Sequence, residues 1–377
     1  MREDKKMKYY IIAGEASGDL HGSNLIKELR LLDTNADIRC WGGDKMEAAG
    51  ATLVKHYRDL AFMGFAEVIM NLRTIFRNLK FCKEDIAQYK PDTLILIDYP
   101  GFNLRIAKWA HEQGLKIIFY ISPQVWAWKE NRVKMMKECI DKMLVILPFE
   151  KDYFKDKWNW DVEYVGHPLV EVINSKLAAG ITNKLSDRPI VGLLPGSRKQ
   201  EIMKKLPVML EVSKSFPDHQ FIVAKAPAVE DAFYNELLKD YANVSYVTNQ
   251  TYDLLMQAKA ALVTSGTATL ETALFAIPEV VCYKGSSISY QIAKRVIKVK
   301  YISLVNLIMD KLVVKELIQN ELTPPNLEKE LRQLLLDENR RAELQHDYAA
   351  LKELLSKGGN ASAKAARSIV DFLSSNT

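Results

Sequence analysis

The chain has 377 residues, 48% of them hydrophobic and 26% charged, with a formal net charge of +5 at pH 7. That balance excludes a disordered chain and a strongly electrostatic nucleic-acid binder, and it supplies apolar material for two separate cores. The four scattered cysteines, Cys40, Cys82, Cys139 and Cys282, give neither a zinc motif nor a disulfide framework, so a reducing compartment is expected.

Short aliphatic runs alternate with amphipathic stretches from residue 9 onward. Residues 9–13, 38–41, 93–97, 116–121 and 142–147 predict buried strands, and 20–32, 64–88, 104–112 and 130–139 predict helices. A polar stretch at 175–189, closed by Pro189, interrupts the pattern. It resumes with strands at 190–194, 221–224, 244–247, 260–263 and 280–283, again with helices between. After Pro324 and Pro325, charged helices are expected at 326–336, 339–355 and 361–373. Such alternation predicts an α/β protein with parallel sheets covered on both faces. The expected domains are 1–178 and 189–325, with 326–377 as helices packing back across both. Two Rossmann-like halves of this kind would face a central cleft lined by the carboxyl ends of their strands. The first residues lead directly into a strand with no apolar signal region, and the longest charge-free runs, 117–128 and 241–252, are too short to span a bilayer. A cytoplasmic location is expected, with any membrane contact made from the side.

Several segments carry candidate chemistry. The first strand runs into Ala13-Gly14-Glu15-Ala16-Ser17-Gly18-Asp19, whose small residues let the backbone approach a ligand. An ordinary turn with Ser17 or Asp19 as helix cap is the competing reading. The amphipathic stretch at 64–88 places Phe65, Val68, Ile69, Leu72, Ile75, Phe76 and Leu79 within an arc of about 120°. Arg73, Arg77 and Lys80 flank that arc, so the stripe either docks on its own sheet or lies in a lipid surface. Asp98 ends the apolar run TLILID, at the strand lip where open α/β sheets bind ligands, and suits a general base; a turn-capping role is the alternative. Glu15 and Asp19 are the other candidates for that base. Ser122, Gln124, Trp126 and Trp128, in YISPQVWAW, either line an acceptor pocket or cover the core. Gly196, Ser197 and Arg198 form a turn before a helix, an anion site with a guanidinium beside it. Ser265, Gly266 and Thr267 deliver a second helix N-terminus suited to phosphate, with Glu271 one turn later placed for a ribose. Lys294, Arg295, Lys298 and Lys300 make a further basic patch.

Taken together and in order, AGEASGDLHG (13–22), IDYPGFN (97–103), YISPQVWAWKENRV (120–133), VGHPLVE (165–171), LPGSRKQEI (194–202), TSGTATLE (264–271) and VNLIMDKLVVKELIQ (305–319) make the chain resemble the lipid-A-disaccharide synthase family. The resemblance covers about residues 8–330, with Tyr99 and Leu20-His21-Gly22 as local variants. It implies a GT-B-type fold: two Rossmann-like parallel-sheet domains facing a central cleft, with a helical C-terminal tail. It also implies transfer of 2,3-diacylglucosamine from its UDP derivative to 2,3-diacylglucosamine 1-phosphate (lipid X), giving a β-1,6-linked disaccharide 1-phosphate and UDP. An α-linked donor and a β-linked product require one inverting displacement, hence one base and a stabilised leaving diphosphate.

On this reading Asp98 is the base, with Glu15 as its alternative. Arg198 and the amides of 265–267 hold the diphosphate, with Ser17, Gly196 and Ser197 also on the donor side. Glu271 takes the ribose, and Asn306, Glu316 and Gln319 continue around the donor. Ser122, Gln124, Trp126 and Trp128 serve the acceptor. No metal or cofactor is expected, since a guanidinium and a helix N-terminus supply the charge and the chain has no Asp-x-Asp motif. Acylated substrates imply peripheral contact of the 64–80 stripe with the cytoplasmic face of a Gram-negative inner membrane. No nucleic-acid partner is expected. The tail would brace both halves or exchange within a homodimer. The alternatives are a UDP-N-acetylglucosamine 2-epimerase, another GT-B UDP-N-acetylglucosamine transferase, or a nucleotide-sugar-binding membrane protein without turnover.

Overall fold

The computed structural model describes residues 6–60, 72–127, 129–285, 300–357 and 359–375. Contacts divide the chain into two units, Met1–Pro168 with Leu355–Thr377, and Leu169–Leu354.

In the first unit, β1 (Lys8–Ala13), α1 (Ala16–Leu32), β2 (Asp37–Gly42), α2 (Asp44–Ala48) and β3 (Thr52–His56) come first. Then follow α3 (Leu72–Tyr89), β4 (Thr93–Ile97), α4 (Pro100–Glu112), β5 (Ile117–Tyr120), α5 (Val133–Cys139), β6 (Lys142–Val145), α6 (Pro148–Trp158) and β7 (Glu163–Tyr164). The strands form one seven-stranded sheet in the order β3-β2-β1-β4-β5-β6-β7, every pair parallel. Alternate residues of the central strands feed two cores. Tyr10, Ile12, Leu94, Leu96 and Phe119 pack on one face with Leu79, Cys82 and Ile86 of α3 and Ile106 of α4. Tyr9, Ile11, Ile95, Ile97 and Ile118 pack on the other with Leu25, Ile26 and Leu29 of α1. Covering both faces is why β1 and β4 read as nearly unbroken apolar runs.

The second unit holds α7 (Leu169–Ala179), β8 (Ile190–Leu194), α8 (Lys199–Ser213), β9 (Gln220–Lys225), α9 (Asp231–Leu238), β10 (Val244–Thr248) and α10 (Thr251–Gln257). It continues through β11 (Ala258–Thr264), α11 (Thr267–Leu274), β12 (Glu279–Tyr283), α12 (Leu304–Met309), β13 (Lys315–Ile318), α13 (Pro324–Leu336) and most of α14 (Glu338–Ser356). Its six strands are again all parallel, ordered β10-β9-β8-β11-β12-β13. The polar stretch after α7 separates that helix from β8, yet α7 packs on α11 within this unit. The tail divides: α13 lies against α8 in the second unit, while α15 (Ala361–Ser374) lies against α1 in the first, through Ala365, Ala366, Ile369 and Leu373.

Strand succession reverses once in each sheet, between β1 and β4 and between β8 and β11. Loops leaving the carboxyl ends of such neighbours diverge to opposite faces and open a crevice, the usual ligand position of open α/β sheets.

Candidate active site

At the second unit's reversal, the loops after β8 and β11 border a cavity of about 600 Å³. Gly266 turns the chain out of β11 with φ 117°, a conformation side-chain-bearing residues rarely adopt, and so starts α11. Gly196, Ser197, Ser265, Thr267, Ala268 and Glu271 line the cavity. The first amides of a helix have no partner within it, so the start of α11 presents donors and the positive end of its dipole to this space. The lining cations are Lys204, Lys205, Lys225 and Lys284. Lys205 is buried, donates to Thr264 Oγ1 at 2.5 Å, and has its pKa lowered chiefly by that burial. Glu271 accepts a hydrogen bond from the Tyr252 hydroxyl at 2.7 Å. Burial raises its pKa, and the tyrosine bond works against that rise.

The other residues expected on the donor side stand further back. Arg198 is the residue before α8; its side chain is 80% exposed, lies 3.9 Å from Glu201, and is not part of the cavity wall. Gln319 accepts from the Gly285 amide at 2.7 Å, and Gly285 lines the cavity, so Gln319 supports the wall from behind. Asn306 is buried: Nδ2 donates to Val314 O at 2.9 Å and Glu316 Oε1 at 3.0 Å, while Oδ1 accepts from the Val313 and Val314 amides. Glu316 also accepts from the Ile302 and Ser303 amides. Through these bonds Asn306 and Glu316 brace 302–306 against 313–316, with the Asn306 amide engaged inside the fold. Sequence reading missed Lys205. Its signal was a lysine on the inward stripe of α8, at register with Ile202, Leu206 and Met209.

At the first unit's reversal, Asp98 and Tyr99 follow β4 with φ values of 45° and 49°. Two consecutive left-handed non-glycine residues are strained and persist only where neighbours over-determine them. The Asp98 amide donates to Tyr120 O at 3.1 Å, and the Asn103 amide nitrogen reaches the carbonyls of Ile12, Ile97 and Asp98. Gly14 completes the clasp, since a Cβ there would lie 2.2 Å from the Tyr99 ring. The Asp98 side chain is half-buried. Desolvation pushes its pKa up to about 6, the Glu15 carboxylate adds to the rise, and the Tyr99 amide opposes it. A carboxylate held there is ionised at neutral pH yet basic enough to take a proton.

Glu15 and Ser17 are exposed on the loop after β1. Asp19 is buried within the first turn of α1 and accepts from the Lys45 and Met46 amides at 3.2 and 3.0 Å. It therefore ties α1 to the start of α2, which corrects the expectation that Ser17 or Asp19 caps α1: the residue before that helix is Glu15, with no side-chain capping bond. Beyond β5, Ser122 is buried and donates to Pro123 O at 3.0 Å, and Gln124 is exposed. Trp126 packs edge-on against Phe149 at 4.9 Å and donates through Nε1 to Glu150 Oε1 at 3.3 Å. Trp128 lies outside the described residues. Glu150 is a buried carboxyl that sequence reading missed; in PFEKDYF it looks like a solvated first helical turn.

The amphipathic stripe splits. Phe65, Val68 and Ile69 lie outside the described residues, as do Lys294, Arg295 and Lys298, while Leu72 opens α3. Leu79 belongs to the core and Ile75 packs against it, which corrects the expectation that Ile75 faces lipid. Phe76 is 62% exposed, with Arg73 and Arg77 exposed beside it. Lys300 pairs with Asp310 at 3.5 Å. Among the described residues no helix is long and apolar enough to cross a membrane.

A family model described as lipid-A-disaccharide synthetase matches residues 9–370. The chain is 37% identical over 361 residues to the lipid-A-disaccharide synthase of Syntrophus aciditrophicus, covering 93% of this chain and 94% of that protein. It is 38% identical over 358 residues to that of Geobacter metallireducens, covering 93% of each. Among solved structures, the glycosyltransferase of kitacinnamycin superposes with a TM-score of 0.68 at 15% identity, over 97% of this chain and 99% of that one. The UDP-GlcNAc 2-epimerase of Neisseria meningitidis bound to UDP-GlcNAc gives 0.65 at 14% identity, over 98% and 100%. At these identities the structural neighbours speak to the GT-B-type fold alone.

Proposed function

The chain belongs to the lipid-A-disaccharide synthase family, a family of glycosyltransferases, and from that premise we propose that it joins UDP-2,3-diacylglucosamine to lipid X with inversion, releasing UDP. The observation that carries the reading is the cavity of the second unit. There a helix start and buried Lys205 supply positive charge, and Glu271 stands one helical turn further on. Diphosphate suits the first two and a ribose diol suits the carboxylate.

The division of labour follows. Asp98 takes the proton of the acceptor's 6-hydroxyl as that oxygen bonds to the donor's anomeric carbon. The bond from that carbon to the diphosphate oxygen breaks on the opposite face. The charge that builds on UDP is stabilised by the amides at 265–268 and by Lys205, with Arg198 available at the edge. Trp126 and its neighbours Ser122 and Gln124 serve the acceptor side, and Glu15 sets the electrostatic surroundings of Asp98. Incubation with both acylated sugars should yield a β-1,6 disaccharide 1-phosphate and stoichiometric UDP, resolved by thin-layer chromatography and mass spectrometry. Consumption of UDP-N-acetylglucosamine to its 2-epimer, or no disaccharide, would end this reading.

Two further expectations arise here. If Glu271 holds the ribose hydroxyls, Glu271→Ala should weaken UDP about tenfold and erase the preference for UDP over 2′-deoxy-UDP, as charge-assisted hydrogen bonds of ~1.5–3 kcal/mol would. An intact preference by calorimetry would remove that role. The acylated substrates must be collected from a bilayer, and Phe76 with Arg73 and Arg77 forms the described part of the surface suited to the cytoplasmic face of the inner membrane. Phe76→Ser combined with Arg73→Gln and Arg77→Gln should lower sedimentation with anionic vesicles and leave the thermal midpoint in place. Leu79→Ser, in the core, should lower the midpoint instead.

A further inference from the structure

Loops from three adjacent strands meet beside Asp98: its own from β4, the Trp126 loop from β5, and the Leu147–Glu150 turn from β6. Glu150 ties the last two together. Its Oε2 accepts from the Leu147 amide at 3.0 Å and its Oε1 from the Trp126 indole N–H at 3.3 Å. The side chain is 1% exposed, and no ion pair to it is found among the described residues. Burying a carboxyl without a cation is costly unless hydrogen bonds offset the lost hydration, and at Glu150 both oxygens have such bonds. Here both oxygens accept from N–H groups on different loops, which glutamine, with one acceptor oxygen and a donor NH2, does not reproduce. Desolvation pushes the pKa of Glu150 up to about 8; its hydrogen bonds to the Leu147 amide and the Trp126 indole oppose that rise, and the Asp98 carboxylate adds a smaller increment.

We propose that Glu150 is a positioning residue for the acceptor: it fixes the indole of Trp126, and with it the loop from β5, against the end of β6 beside Asp98. The role deepens the acceptor-side reading given under the proposed function and rests on it. Glu150 touches no reacting atom; it acts through Trp126.

A double-mutant cycle tests this, using the full-length protein, both acylated sugars and separate UDP calorimetry. Glu150→Gln keeps one of the two bonds at most, and Trp126→Phe removes the indole donor while leaving Glu150 in place. Each should raise the acceptor KM about threefold to tenfold, the range a lost buried hydrogen bond produces. Donor KM, UDP affinity and the thermal midpoint should stay near wild type. The double variant should be no worse than the poorer single one, because both changes break the same link. Additive losses, a fall in kcat with acceptor KM unchanged, or an equal loss of UDP affinity would each overturn the proposal. Absence of disaccharide with the wild-type protein would strike the underlying reading instead, and the wild-type control separates the two failures.

Discussion

Asp98→Ala is expected to lower kcat by about 10²- to 10⁴-fold, the range a positioned general base contributes, with the UDP dissociation constant unchanged. The separation follows from placement: Asp98 stands at the carboxyl end of β4 in the first unit, whereas the groups proposed to hold the diphosphate stand in the second. The wild-type acid limb follows from the same group. Because its pKa lies near 6, kcat/KM should fall as pH drops through that value. Glu15, exposed on the neighbouring loop, is the competitor, so Glu15→Ala should shift the limb slightly downward without abolishing turnover. Loss of turnover in Glu15→Ala with retention in Asp98→Ala would exchange their roles.

The raised pKa also has a stability consequence whose sign is fixed. Folding favours the protonated form of Asp98, so its contribution is fully present below the unfolded value of about 3.9 and is lost as pH rises through about 6. At pH 7 the ionised side chain therefore destabilises the fold, on the order of 2–3 kcal/mol at most. Asp98→Asn should raise the thermal midpoint at pH 7 and leave it unchanged near pH 3.5. A lower midpoint at pH 7 would show that the carboxylate is held by contacts that outweigh its desolvation.

Lys205→Ala is the second large effect: UDP should bind roughly 10- to 100-fold more weakly, the loss expected for a charge-assisted bond in a desolvated site. Lys205 is buried with its ammonium close to Gly196 of the turn between β8 and α8, and it donates to Thr264, the last residue of β11. The turns after β8 and β11 thus meet one cation, near Gly196 and bonded to Thr264, and the proposed reading makes it the diphosphate's partner. Arg198→Ala should cost less, about threefold, because that guanidinium is exposed and its interactions are screened. The reverse ranking by calorimetry would return the principal role to Arg198.

These expectations also show what sequence could and could not convey. The central strands β1, β4, β8 and β11 were legible because burial on both faces leaves long aliphatic runs, and the turns after them because glycine and small residues follow at once. The edge strands β3, β7 and β13 were not: β7 has only two residues, the half-exposed residues of β3 and β7 leave no apolar run, and β13 is interrupted by charged Lys315 and Glu316. Among the residues of the proposed site, Asp98, Glu271 and the Ser265–Thr267 turn stand out in the sequence at strand ends or helix starts. Lys205 and Glu150 do not, because a single charged letter within a helix reads as solvated until its neighbours in space are known. Asn306 and Glu316 carry a further role that the letters do not convey, since they hydrogen-bond the fold's own amides. The 65–79 stripe shows a limit of the helical wheel. One arc holds both Leu79, which packs inward, and Phe76, which does not.

The most direct test is a crystal structure of the protein soaked with UDP. The diphosphate should lie within hydrogen-bond distance of the amides of residues 265–268 and of Lys205 Nζ, with the ribose hydroxyls on Glu271. UDP bound elsewhere, with the turn after β11 empty, would contradict the account.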